Sequence, residues 1–188
     1  MKEPVLGPTR LPEFEKLLAG SEHKLELLEG EVVAVAGGSV AHGILCSRLH
    51  ALISSATKDP CQAFTSDVAV RINDRATYVF PDVSRTCEKL DADARFISAP
   101  DLIVEVISPD SKARDRGEKL DAYQSIPSVM EYLLVDSRRV WVCVFRRMVG
   151  GFWTETTYGL GEIVELRTAD ASIDVAELYS GTGRVLSS

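Results

Sequence analysis

The run Asp101-Leu102-Ile103-Val104-Glu105-Val106-Ile107 constrains this chain more than any other segment. Its aliphatic residues are nearly continuous and mostly β-branched, with no alternation that leaves one face to water. Such a strand is expected at the centre of a sheet covered on both faces. Ser108-Pro109-Asp110-Ser111 then reads as a stop and a cap, followed by a helix expected over 112–125, which Ile126-Pro127 ends. A buried strand feeding a helix beside it points to the α/β or α+β class, a mixed central sheet flanked by helices.

The rest of the chain fits that architecture. Residues 1–12, with Pro4, Pro8 and Pro12, read as a loose arm, and a short helix follows around Phe14, Leu17 and Leu18. Residues 25–35 read as two strands turned at Glu29-Gly30. Ile44, Leu45, Leu49, Leu52 and Ile53 recur at helical spacing, so 40–56 is expected to be an amphipathic helix. Gly37-Gly38-Ser39 before it is either a strand-to-helix turn or an anion seat at the helix N-terminus. Further strands are expected at 64–72, up to Phe80, at 132–135, 140–145, 151–157 and 162–166, the later ones as extra antiparallel strands. The apolar tail 173–179 is expected to pack back on the body. There is no internal repeat and no low-complexity linker, so the 188 residues are expected to form a single domain.

With 45% hydrophobic residues the chain can bury a proper core. No apolar run approaches the roughly 20 residues of a membrane-spanning helix, and MKEPVLGPTRLPEF lacks a secretory apolar stretch. The four cysteines, Cys46, Cys61, Cys87 and Cys143, form no CxxC pair and show no histidine at zinc-site spacing. Neither a structural zinc nor a disulfide framework is therefore expected; the cysteines read as small core residues in a reducing cytoplasm. The net charge of −7 argues against non-specific coating of nucleic acid, which depends on phosphate neutralisation. It leaves room for a nuclease with a local basic stripe and a carboxylate-held cation. No GxxxxGK loop, GxGxxG turn or GxSxG elbow is present, so nucleotide kinases, Rossmann oxidoreductases and α/β-hydrolases are unsupported.

Glu105 is the residue that this background leaves unexplained. A carboxylate among aliphatic neighbours needs a counter-ion, hydrogen bonds or a metal. A structural salt bridge or an edge strand would also account for it. Asp82, after Pro81, ends a strand-like segment 23 positions earlier, a gap that suits a loop between adjacent strands. Two acids on one face of neighbouring strands repel unless a cation lies between them; alternatively Asp82 is an ordinary turn residue. On the following helix Asp115, Arg116, Lys119 and Tyr123 share a stripe. Lys119 there can reach the carboxylates, or can belong to a solvated helical face.

These segments resemble the Uma family of bacterial endonucleases, of the PD-(D/E)XK, or restriction-endonuclease-like, superfamily. Pro81-Asp82, residues 99–109, 114–123 and 129–136 carry the resemblance, with Glu26 to Val33, His42 and Ile173 to Leu178 in support. It spans roughly residues 20–180. The resemblance implies a metal-dependent endonuclease hydrolysing DNA, with Mg²⁺ or Mn²⁺ held by Asp82, Glu105 and Glu31, and with Lys119 completing the catalytic set. Lys112, Arg116, Tyr123 and His42 are the implied substrate contacts, and a homodimer is expected. One departure stands out. The superfamily's usual lysine stands two residues after the second acid, where this chain has Ile107, and Lys119 on the next helix takes its place. The competing reading is an inactive nuclease-fold module for nucleic-acid or protein binding.

Overall fold

The computed structural model describes residues 8–35, 37–108 and 112–184, with the side chain of Lys112 outside that description. Helix α1 (Leu11–Ala19) opens the described chain; its Pro12 lies in the first turn, where a missing amide costs no hydrogen bond. The helix thus begins inside the stretch read as a loose arm. Thr9 is tied down as well, its amide donating to the Gly30 carbonyl at 2.8 Å. Strands β1 (Leu25–Leu28) and β2 (Glu31–Ala34) form the expected hairpin, with Glu29 and Gly30 both at positive φ, as a tight two-residue turn requires. Helix α2 spans Val40–Ala56, capped by Ser39, whose hydroxyl accepts from the His42 amide.

The strand expected over 64–72 is two strands in different sheets, β3 (Gln62–Thr65) and β4 (Ala69–Ile72). Ser66-Asp67 turns the chain between them, with Thr65 Oγ1 donating to Asp67. After β5 (Thr77–Val79) comes β6 (Val83–Thr86), in a stretch read partly as loop. Its polar residues concealed it: Ser84, Arg85 and Thr86 are buried, and Arg85 pairs with Asp101. Short β7 (Phe96–Ile97) and long β8 (Pro100–Ile107) follow. The helix expected over 112–125 is broken into α3 (Lys112–Arg116) and α4 (Glu118–Ser125). Gly117 sits between them at φ −112°, ψ −102°, outside the helical well. The cap read at 108–111 lies, from Pro109 onward, outside the described residues. The chain closes with β9 (Glu131–Asp136), β10 (Val142–Arg147), β11 (Trp153–Tyr158), β12 (Ile163–Leu166), β13 (Ala171–Asp174) and α5 (Val175–Tyr179).

Six strands form the central sheet in the order β11-β10-β9-β8-β6-β3, and β8 runs parallel to β9 and antiparallel to β6. A second, five-stranded sheet has the order β2-β1-β5-β4-β7. The two faces of β8 sort its side chains. Leu102, Val104 and Val106 pack with Leu45, Leu49 and Ile53 of α2 and with α5. Ile103 and Ile107 pack with Ala122 and Tyr123 of α4 and with Tyr132 and Leu134 of β9. This is the doubly covered central strand that the apolar run implied, in a mixed α+β fold. Each fully buried Leu or Ile contributes about 1.5–3 kcal/mol. No helix among the described residues is long and apolar enough to cross a membrane.

Cys61 and Cys87, read as reduced core residues, are instead bonded to each other, and neither is fully buried. Gln62 and Thr86 are partners in the β3–β6 ladder, so the cysteines face each other one step beyond it. Their separation of 26 positions hid a pairing that only the antiparallel ladder creates. Cys143 is buried and Cys46 half-buried. Cys87→Ser is expected to cost about 3 kcal/mol under oxidising conditions, by freeing the unfolded loop. Urea unfolding with and without reductant measures this; reduction should lower the wild type to the level of the variant.

Candidate active site

Glu105 lies near the C-terminal end of β8, on the α4 face, and is 5% exposed. The break at Gly117 sets α4 so that Lys119 and Tyr123, one turn apart, both reach it. Lys119 Nζ and Tyr123 Oη each donate to Glu105 Oε1 at 2.9 Å. The same ammonium stands 3.2 Å from Glu26 Oε2, on β1, and 3.7 Å from Asp115 Oδ1, on α3. Glu26 also accepts from the Phe80 amide at 2.8 Å.

Asp82 immediately precedes β6. Val83 pairs with Val104, so Asp82 is carried opposite Glu105 across the ladder. Its Oδ2 accepts from the Val106 amide at 2.7 Å and lies 3.4 Å from His42 Nε2. A cavity of about 440 Å³ opens over these groups, lined by Glu26, His42, Asp82, Glu105, Asp115 and Lys119, with Arg114 and Arg138 also on its wall.

Charge is dense in this cavity. Among the described residues, Glu26, Asp82, Glu105 and Asp115 bring four carboxylates to its lining, and Lys119, Arg114 and Arg138 bring three cations. Burial pushes the Glu105 carboxyl well above the usual range; Lys119 pulls it back, while Asp115, Asp82 and Glu26 push it up again. Burial opposes the Lys119 charge, but Glu105, Glu26 and Asp115 outweigh it and hold the ammonium above the ordinary lysine range. Burial also lowers Lys24, against the pull of Asp67 and the site carboxylates. At His42 the hydrogen bond to Asp82 outweighs burial and raises the imidazole. Glu131 shows what a satisfied buried acid looks like here: Arg146 Nε donates to it at 2.8 Å, and the Thr168 amide and hydroxyl at 2.9 and 2.7 Å.

The structure thus brings Asp82, Glu105, Lys119 and His42 to one cavity. It does not bring Glu31 there. Glu31 is exposed at the turn end of the hairpin, opposite Leu28, and Glu26 is the hairpin acid in the cavity. Tyr123 is fully buried, so it holds Glu105 rather than offering a surface to a substrate. Arg116 faces away, paired with Glu155 at 2.6 Å and set against the Trp141 ring; Arg114 takes the wall position instead. The Lys112 side chain lies outside the described residues. Ile107 is buried in the core. Sequence reading passed over Glu26, although an acid inside Leu25-Glu26-Leu27-Leu28 is the same signal that singled out Glu105. It also passed over the pairing of His42 with Cys46, four residues apart on α2, whose Nδ1 and Sγ lie 3.4 Å apart.

Comparison with known proteins shows the family and the fold. The profile of the Uma2 family, described as "Putative restriction endonuclease", matches residues 11–176. An uncharacterised protein of Synechocystis sp. is 32% identical over 180 residues, covering 95% of this chain and 93% of its own. A second uncharacterised Synechocystis protein is 32% identical over 117 residues, 60% of this chain and 66% of its own. A crystal structure from Anabaena variabilis, titled a "putative nuclease belonging to DUF820", superposes with a TM-score of 0.77 at 20% identity, over 93% of this chain and 99% of that one. It has the same fold. The chain belongs to the Uma2 family.

Proposed function

We propose that this protein is a metal-dependent endonuclease that hydrolyses DNA phosphodiester bonds, with Mg²⁺ or Mn²⁺ held by Asp82 and Glu105. The observation that carries this reading is the crowding of carboxylates: Glu26, Asp82, Glu105 and Asp115 line one cavity, and three of them, Glu105, Glu26 and Asp115, lie within 3.7 Å of the Lys119 ammonium. Hard oxygen donors in that density suit a hard divalent cation. Glu105, pushed up by burial, favours a proton or a cation beside it. A divalent cation at this position supplies Lewis-acid polarisation of a phosphate and activation of water.

The protein's own groups have separable tasks. Lys119 and Tyr123 fix Oε1 of Glu105, which sets the direction of its other oxygen. The Val106 amide and His42 fix Oδ2 of Asp82 in the same way. The Lys119 ammonium, held charged, also offers a positive charge to a phosphate in the transition state. Arg114 and Arg138 on the cavity wall are placed to hold the phosphate backbone without reading bases. The lysine missing at Ile107 is supplied in space by α4.

Incubation of supercoiled, linear and single-stranded DNA with Mg²⁺ or Mn²⁺ tests the proposal. Metal-dependent cutting that disappears in Asp82→Ala supports it. Metal binding without cutting of any of these DNAs removes the hydrolytic assignment and leaves the binding module. Tyr123→Phe removes one hydrogen bond to a ligand and no charge. It is expected to cost about 1 kcal/mol of stability and to slow cutting about tenfold. The homodimer expected from the sequence is tested by light scattering, and a monomer at high concentration excludes it.

A further inference from the structure

We propose that His42, Cys46 and Asp82 form a second cation site, selective for a soft divalent ion of the zinc type, that shares Asp82 with the hydrolytic centre. His42 and Cys46 are one helical turn apart on α2, and Asp82 approaches them from the head of β6. His42 Nε2 lies 3.4 Å from Asp82 Oδ2 and 3.9 Å from Cys46 Sγ, and one ligand atom from each of the three residues falls within 4.8 Å of the others. Zinc bonds of about 2.0–2.3 Å in a tetrahedron place such donors roughly 3.5 Å apart. The set therefore needs small adjustments to close on one ion.

Two further observations support a built arrangement. A Cβ on residue 38 would lie 2.5 Å from His42 Nδ1, so Gly38 leaves the space that the imidazole occupies. All three residues are half-buried, and His42 and Asp82 line the cavity, so an ion has a route in and a fourth position open toward it. Nitrogen, sulfur and oxygen donors together suit zinc, whereas the oxygens of Asp82 and Glu105 suit magnesium or manganese. On binding, a sulfur–metal bond forms and the Cys46 thiol proton leaves to solvent. A soft ion here engages Asp82 and so displaces the hard one; this consequence rests on the proposed role of Asp82, while the binding itself does not.

Co²⁺ serves as the spectroscopic probe, added to the intact protein. A thiolate-to-cobalt charge-transfer band is expected in the wild type, in Glu105→Gln and in Cys143→Ala. It is expected to vanish in Cys46→Ala and on addition of Zn²⁺, with the circular dichroism of Cys46→Ala unchanged. His42→Asn, which keeps the thiol, is expected to weaken Co²⁺ binding at least about tenfold. Absence of the band in the wild type, or its survival in Cys46→Ala, overturns the site. Where DNA is cut, Zn²⁺ is expected to suppress cutting by the wild type and to spare Cys46→Ala. If no DNA is cut at all, the band still reports the site, and only its competition with the hydrolytic ion falls.

Discussion

Lys119→Met is expected to destabilise the fold by about 3–5 kcal/mol at neutral pH. Lys119 is 5% exposed, and Glu105, Glu26 and Asp115 all lie within 3.7 Å of its ammonium. Methionine fills a similar volume but leaves three buried carboxylates facing one another. The loss should shrink in two ways. Millimolar Mg²⁺ or Mn²⁺ restores positive charge to the cluster and should recover part of the stability. Acidification should do the same. The Glu105 carboxyl is already raised in the folded protein, so the folded state takes up its proton before the unfolded state does. Stability relative to wild type therefore rises as pH falls through the raised value, and the deficit is largest above it. Urea unfolding at neutral pH and at about pH 5, with and without metal, measures all of this. A variant as stable as wild type at neutral pH would contradict the charge balance described for the cavity.

Glu105→Gln has the opposite signature. Metal-dependent cutting is expected to fall by about a hundredfold or more, while the metal-free fold gains roughly 1 kcal/mol. The glutamine carbonyl keeps an acceptor for Lys119 and Tyr123, and Lys119 retains Glu26 and Asp115 as counter-charges. One negative charge leaves a cluster that has too many. A gain in stability joined to a loss of activity separates a functional carboxylate from a structural one. Glu131, held by Arg146 and by the Thr168 amide and hydroxyl, should behave in the reverse sense, losing stability on the same substitution.

The aliphatic run around Glu105 made the centre of this fold legible, because only a doubly covered strand tolerates such a sequence. The helix over 40–56 and the hairpin at Glu29-Gly30 were legible for equally local reasons, a 3.6-residue period and a turn dipeptide. What stayed hidden depended on partners distant in the chain. Strand β6 carries Arg85 and Thr86, which read as loop until Asp101 supplies the counter-charge for Arg85. Cys61 and Cys87 face each other only once β3 and β6 pair. In the site, Glu105 could be singled out from sequence, since an acid in an apolar strand is visible, while the family resemblance was needed to choose Asp82 and Lys119 over a turn residue and a solvated helical face. Glu26 displaced Glu31 because a hairpin puts both on one face, and only the packing of β1 against the rest decides which end meets the cavity. Tyr123 sat on the right stripe, but its depth, which makes it a support for Glu105, is a property of the folded layers.

The most direct test of the central claim is a calorimetric titration of Mn²⁺ into the wild type, Asp82→Ala and Glu105→Gln. The proposed cation centre predicts saturable binding to the wild type and its loss in both variants, with the fold of each intact by circular dichroism. Unchanged Mn²⁺ binding in both variants would contradict it, since the four-carboxylate cavity would then not be where the protein holds its metal.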